Sequence, residues 1–188
     1  MTKAQSAPAL VPIRYGLRGM EPSDLAVVRG WLAQPHVQRW WPNPQIGLRS
    51  IAQHLSELAI ACFILTIDGR DAGYLQVYDP HHAPPPAADE QTSGHPYRDQ
   101  PRGTRGIDLF IGEARLIGQG HGSRLIRRIL EHLFEEGISC VVTDPDPANA
   151  RSIAAFRRVG FRCVGQRDTA WGHVLLMRCD NLKPTISP

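Results

Sequence analysis

The chain has 188 residues, 42% of them hydrophobic and 21% charged, ordinary proportions for a globular domain and far from those of a disordered or fibrous chain. Its 21 Lys and Arg against 18 Asp and Glu leave a net charge of +3 with no block of like charges, which argues against a nucleic-acid partner and leaves room for an anionic ligand. The longest apolar run, Leu58 to Leu65, is far short of the ~18 residues of a membrane span, and Met1 to Pro12 lacks the apolar stretch of a secretion signal, so neither a membrane partner nor export is expected.

One domain is expected over residues 12–180, between a loose tail at 1–11 and a second tail at 181–188. Ile13, Tyr15 and Leu17 alternate with polar or small residues as a half-buried strand does. Pro22, Ser23 and Asp24 start a helix carrying Leu25, Val28, Trp31 and Leu32 on one face, ending near Pro35. Trp40 and Trp41 stand between prolines, ahead of a second helix defined by Leu48, Ile51, Leu55 and Leu58. Cys62 to Ile67 and Ala72 to Tyr78 flank an Asp68-Gly69 step, the signature of a hairpin.

Six prolines between Asp79 and Arg105 predict a long loop over 79–105, in which His81, His82 and His95 read as solvated. Ile107 to Ile111 resumes as a strand. A glycine-rich segment then opens a helix with Leu125, Ile126, Ile129, Leu130, Leu133 and Phe134 facing inward. Ile138 to Thr143 reads as a buried strand. Ile153, Phe156 and Val159 form a helical stripe stopped by Gly160, and Phe161 to Val164 with Val174 to Met177 make two closing strands. The expected fold class is α/β or α+β, a mixed, mostly antiparallel sheet with helices on both faces. Cys62, Cys140, Cys163 and Cys179 lack metal or dithiol spacing and read as reduced core residues of a cytosolic protein; no metal site is expected.

Two segments carry chemistry. Ile117-Gly118-Gln119-Gly120-His121-Gly122-Ser123 joins a strand to an amphipathic helix, so its backbone N–H groups gather where an anion can sit. It has neither the Lys of a P-loop nor the glycine spacing of a dinucleotide fold. It resembles the pyrophosphate loop of the GNAT acetyltransferases, with Ile117 where that family has Arg or Gln and Gly120 and Gly122 at the small positions. Downstream, Asn149 followed by a helix and Gly160-Phe161 is similar to the GNAT segment that runs along coenzyme A. Within the superfamily, Gly73 to Tyr78, Gly106 to Phe110 and Thr143-Asp144-Pro145 resemble the aminoglycoside 6'-N-acetyltransferases.

That resemblance implies acetyl-CoA as cosubstrate, held by Phe110, Ile111, Gly118, Gln119, Gly120, His121, Gly122, Ser123, Asn149 and Phe156. It also implies direct acetyl transfer to a primary amine of a small molecule, by a monomer or homodimer. A protonated amine cannot attack a thioester, so a carboxylate must take its proton, and Asp108, mid-strand among apolar neighbours, is the candidate. N–H groups of Leu109 to Ile111 are candidates to polarise the acetyl carbonyl. The cationic substrate would meet Trp40, Trp41, Gln76, Tyr78, Asp108 and Asp144, with Asp79 and Asp168 as further acids. Phe156 occupies a position where many of these enzymes carry a proton-donating Tyr. Two other readings are a GNAT acylase of siderophore precursors or peptide amines, and a non-catalytic coenzyme A sensor.

Overall fold

The computed structural model describes residues 12–82 and 95–182. In chain order the elements are β1 (Tyr15–Gly19), α1 (Leu25–Leu32), α2 (Pro35–Gln38), α3 (Pro44–His54), β2 (Ile60–Ile67), β3 (Arg70–Tyr78), β4 (Thr104–Ile111), α4 (His121–Glu135), β5 (Cys140–Thr143), α5 (Ala150–Arg157), β6 (Arg162–Thr169) and β7 (Gly172–Asp180). They build one seven-stranded sheet in the order β1-β2-β3-β4-β5-β7-β6. All neighbours are antiparallel except β4 and β5, which run parallel. The mixed sheet with helices on both faces is as the sequence predicts.

Strand alternation sorts the side chains into two cores. On one face Leu65, Leu75, Val77, Ile107, Val141 and Met177 pack under α4 and α5, through Leu125, Ile126, Ile129, Ile153 and Phe156. On the other, Cys62, Ile64, Tyr74 and Phe110 pack under α1 and α3, through Val28, Trp31, Leu32 and Ile51. This second layer stops short of β5. There Tyr97, from the loop before β4, covers Val142 and Leu176 instead.

The β2–β3 turn forms as expected, with Asp68 and Gly69 both at positive φ, 50° and 75°. Helix α3 is shorter than its apolar spacing predicts. The Ser56 hydroxyl donates to the Gln53 carbonyl as the chain turns toward β2, and Leu58 lies beyond the helix, fully exposed. Cys62, Cys140 and Cys179 are buried free thiols, but Cys163 is exposed on edge strand β6, so the core assignment fails for it. His95 is buried among aromatic rings rather than solvated, and burial, with Arg98 nearby, pulls its pKa down to about 4. The 79–105 loop ends where β4 begins at Thr104, and its residues 83–94 lie outside the described residues. Among the described residues no helix is long and apolar enough to cross a membrane.

Strands β3 and β4 approach closely at Gly73, where a Cβ would lie 2.2 Å from the Phe110 carbonyl oxygen. That neighbour is backbone and cannot rotate away. Gly73→Ala is therefore expected to lower stability by about 1–3 kcal/mol or more, as overpacking does; urea unfolding of the variant beside the parent checks this, and an unchanged midpoint would refute it.

Candidate active site

The parallel ladder between β4 and β5 is only three residues deep: Thr104, Arg105 and Gly106 pair with Cys140, Val141 and Val142. Beyond that β4 runs on to Ile111, while β5 ends at Thr143 and is followed by Asp144-Pro145. Proline has no N–H to offer a ladder, and the Pro145 carbonyl accepts from the Leu175 N–H instead. The two strands therefore fork, and alternate backbone groups of Ile107 to Ile111 face the gap without a strand partner on that side. Continuing the register by two residues sets Asp108 beside Asp144, one on each prong.

Asp108 lies beside Gln76 on β3, and the Gln76 amide donates to Oδ2 of Asp108 at 2.7 Å. The other end of that amide is fixed as well. Gln76 Oε1 accepts from the Tyr74 hydroxyl at 3.1 Å and lies 3.1 Å from Nδ1 of His54, at the end of α3. Asp144 Oδ2 accepts from the Tyr97 hydroxyl at 2.6 Å and from Nε1 of Trp171 at 2.7 Å. Tyr97, His95 and Trp171 form a ring cluster extended by Tyr78, whose own ring fills the space a Cβ on Gly106 would need.

Burial, and then the Asp144 charge, push the Asp108 carboxyl far above the usual carboxylate range, with Gln76 opposing the shift. Burial raises Asp144 too, but its hydrogen bonds from Tyr97, Trp171 and Asp108 oppose the rise. A charge on Asp144 meets two fixed donors where one on Asp108 meets only the Gln76 amide, so Asp108 is the carboxyl raised further and the two titrate as a pair.

At the other side of the fork, Gly118 and Gly120 adopt positive φ, 83° and 79°, and Gly120 precedes the first turn of α4. No side chain caps that turn, and Oγ of Ser123 is buried without a partner. A Cβ on Gly122 would meet Ala155 of α5 at 3.9 Å and Ile111 of β4 at 4.0 Å, so the start of α4 lies close to both α5 and the end of β4. An uncapped helix start, an orphaned hydroxyl and a side-chain-free wall fit a pyrophosphate and the chain attached to it.

The remaining sequence candidates divide. The Gln119 amide donates to the Arg115 carbonyl and the His121 ring is buried 2.8 Å from the Tyr15 hydroxyl, so both side chains already have partners within the protein. Asn149 caps α5, its Oδ1 accepting from the Ser152 N–H at 3.1 Å. Phe156 is 4% exposed with its ring edge on Phe161, so it offers a bound cofactor little surface. Trp41 packs edge-on against Phe110 and Tyr74, linking α2 to the site, whereas Trp40 is stacked under Arg39.

Two acids leave the candidate set. Burial would raise the Asp79 carboxyl, but the His81 N–H, His82 and Arg105 outweigh it and hold it below the ordinary range, already paired. Asp168, with its side chain 92% exposed, pairs with His173 on the β6–β7 hairpin, outside this network. Tyr97, Trp171 and His54 carried no signal in the sequence, since each is brought in from a distant element, whereas Tyr74 stands two residues from Gln76 on β3, where strand alternation puts it on the same face.

Residues 21–169 match the acetyltransferase (GNAT) domain, and the chain belongs to the GNAT acetyltransferase family. It is 28% identical over 169 residues to an aminoglycoside N(6')-acetyltransferase type 1 of Klebsiella pneumoniae, covering 86% of this chain and 80% of that protein. Over 168 residues it is 26% identical to a lysine N-acyltransferase of Mycobacterium tuberculosis, covering 86% and 75%. The crystal structure of aminoglycoside acetyltransferase AAC(6')-Ib in complex with coenzyme A and kanamycin superposes with a TM-score of 0.75 at 28% identity, over 89% of this chain and 95% of that one.

The raised carboxyl pKa has a consequence for stability. Between the ordinary carboxylate value and the raised one, the folded chain binds more protons at Asp108 than the unfolded chain, so this group's contribution to stability falls as pH rises through that window. Asparagine keeps both contacts, accepting from Gln76 and donating to Asp144, without the charge conflict. Asp108→Asn is therefore expected to melt above the parent at neutral pH and to converge with it below roughly pH 4. Thermal melts across pH check this, and a lower neutral-pH melting temperature in the variant would refute it.

The loop offers a separate check. A β-branched side chain at the positive φ of Gly120 is strained in open space. Gly120→Val is expected to lose coenzyme A binding by calorimetry while the fold is retained; unchanged affinity in a folded variant would remove this loop from the site.

Proposed function

We propose that the chain transfers acetyl from acetyl-CoA to a primary amine of an aminoglycoside, by direct attack and without an acyl-enzyme. One observation carries the reading: Asp108 and Asp144 face each other across the fork between β4 and β5, forming an acidic site beside the glycine loop that fits a pyrophosphate. The named relatives support it, since the Klebsiella pneumoniae protein is an aminoglycoside acetyltransferase and AAC(6')-Ib was crystallised with kanamycin and coenzyme A.

Coenzyme A, when bound, supplies the acetyl group as a thioester. Gly118, Gly120, Gly122 and Ser123 hold its pyrophosphate, and Phe110 and Ile111 border its arm. The N–H groups of Leu109 to Ile111 that face the fork are placed to polarise the acetyl carbonyl. Asp144 is the resident anion and draws the ammonium. Positive charge entering beside the carboxylates supplies what the pair lacks and lowers the Asp108 pKa, so Asp108 releases its own proton to solvent as the ammonium enters, and the carboxylate left behind takes the proton that the ammonium gives up before it attacks. Gln76, clamped at its oxygen by Tyr74 and close to His54, presents its amide donor to Asp108 and orients it.

The test is thiol release from acetyl-CoA in the presence of kanamycin, a siderophore-type hydroxylated amine, or a peptide. Turnover with kanamycin is expected, and its absence alongside turnover of another amine would overturn the aminoglycoside assignment. The pH profile is expected to follow the pair. kcat/KM should rise with pH through the elevated Asp108 value, and Asp144→Asn, by removing the neighbouring negative charge, should move that limb to lower pH. A limb unmoved in Asp144→Asn would show that Asp108 is not the titrating base.

A further inference from the structure

We infer that His36 is a positioning residue for the transfer step, holding the end of β4 so that the N–H groups of Leu109 and Ile111 stay aimed at the acetyl carbonyl. This inference rests on the acetyl-transfer reading and deepens it.

The Gly112 N–H donates to the Ala72 carbonyl beside it on β3 at 2.9 Å. Backbone groups alternate sides along an antiparallel ladder, so in the β3–β4 register Leu109 and Ile111 turn both N–H and carbonyl away from β3, into the fork. Since β5 has ended at Thr143, these last residues of β4 are paired along one edge only.

His36 supplies a hold on the open edge. It stands on α2, and its Nε2 lies 2.9 Å from the Ile111 carbonyl oxygen. A carbonyl can only accept, so Nε2 carries the hydrogen and donates. The Ile111–Gly112 peptide is thereby gripped at both ends, its oxygen by α2 on the fork side and its N–H by β3 on the other. A planar peptide held at two opposed atoms has little freedom to turn, and the Ile111 N–H, joined to it through one Cα, is aimed with it. Neighbouring contacts extend the grip. Trp41, just beyond α2, rests edge-on against Phe110, and the Trp31 ring fills the space a Cβ on Gly112 would need.

The bond also removes a conflict. A bare carbonyl beside the Ile111 N–H would repel the acetyl oxygen as negative charge builds on it, and the His36 donor occupies that acceptor. Because this charge develops only as the amine attacks, loss of the bond acts on kcat more than on acetyl-CoA binding.

The experiment compares the parent with His36→Leu, which removes the donor, and His36→Gln, whose amide can donate from nearly the same place. Its readouts are the infrared carbonyl band of bound acetyl-CoA, isotope-labelled at the acetyl carbonyl, and kcat and KM with the amines that the parent acetylates. The parent band is expected at lower frequency than that of free acetyl-CoA, because polarisation weakens the C=O bond. In His36→Leu it is expected to move back toward the free position, with KM for acetyl-CoA within about twofold and kcat down roughly tenfold, on the scale of a small misplacement of reacting groups. His36→Gln is expected to restore the band and most of kcat. If His36→Leu does not fold, His36→Asn, whose amide is too short to reach the carbonyl, takes its place with the same outcomes. A parent band at the free position, an unmoved band in His36→Leu, or a His36→Gln as impaired as His36→Leu would overturn the inference. The aminoglycoside reading fails separately. A parent with the lowered, His36-dependent band that acetylates no aminoglycoside would sustain the role of His36 and overturn that assignment. A parent that does not bind acetyl-CoA would overturn both.

Discussion

The site depends on where the β4–β5 ladder stops. Two parallel strands with Asp108 and Asp144 in the same register would, if pairing continued, hold two carboxyl groups side by side in a buried sheet, which is favourable only while the pair shares a proton, and like charges directly opposite are destabilising. Pro145 then withholds the N–H that the next rung would require. Charge and covalent structure act in the same direction at adjacent residues, so the fork opens at the place where the acid pair stands. A site of this kind needs no separate device to keep the sheet apart.

On the proposed reading one opening serves both substrates, because the prongs have different faces. Toward α4 and α5 the fork borders the glycine loop, a helix start with free N–H groups and the unpartnered Ser123 hydroxyl, all suited to negative charge. Toward α1 and α3 it presents carboxylates, suited to positive charge. The layer of α1 and α3 ends before β5, and this lets the loop at Tyr97 and the β6–β7 hairpin reach Asp144. A complete helical cover on that face would leave no room for an amine. The gap in the layer is thus as functional as the gap in the sheet.

Much of this was legible in the sequence because it is local. Alternation marks β1 to β3, the Asp68-Gly69 step marks their hairpin, and the glycine spacing before α4 marks an anion-binding turn. Asp108 and Asp144 could each be picked out by surroundings, but their pairing could not, since it follows from a parallel register set by Thr104 and Cys140. The same holds for the donors to Asp144. Tyr97 sits in a proline-rich loop and Trp171 at a hairpin tip, positions that look solvated until the fold brings them together, and His95 was misread for that reason. Asp79 failed as a candidate in the opposite sense. Its sequence neighbourhood shows an acid near a binding loop, and only the fold shows Arg105 already paired with it.

The distribution of titratable groups also bears on how the transfer ends. On the proposed reading the amine side of the fork holds two carboxyl groups, while Phe156, which the family resemblance sets where a proton-donating Tyr would stand, has no proton to give and is packed into the core against Phe161. The asymmetry is chemically tolerable. A primary ammonium must lose a proton before it can attack, so a base is indispensable there. The departing thiol has an ordinary pKa of about 8.5 and leaves as a moderately stable thiolate without a dedicated acid. The fold has concentrated its costly, destabilising electrostatics at the step that requires them. The other side keeps a phenyl ring that, with Ile153, packs α5 onto the core.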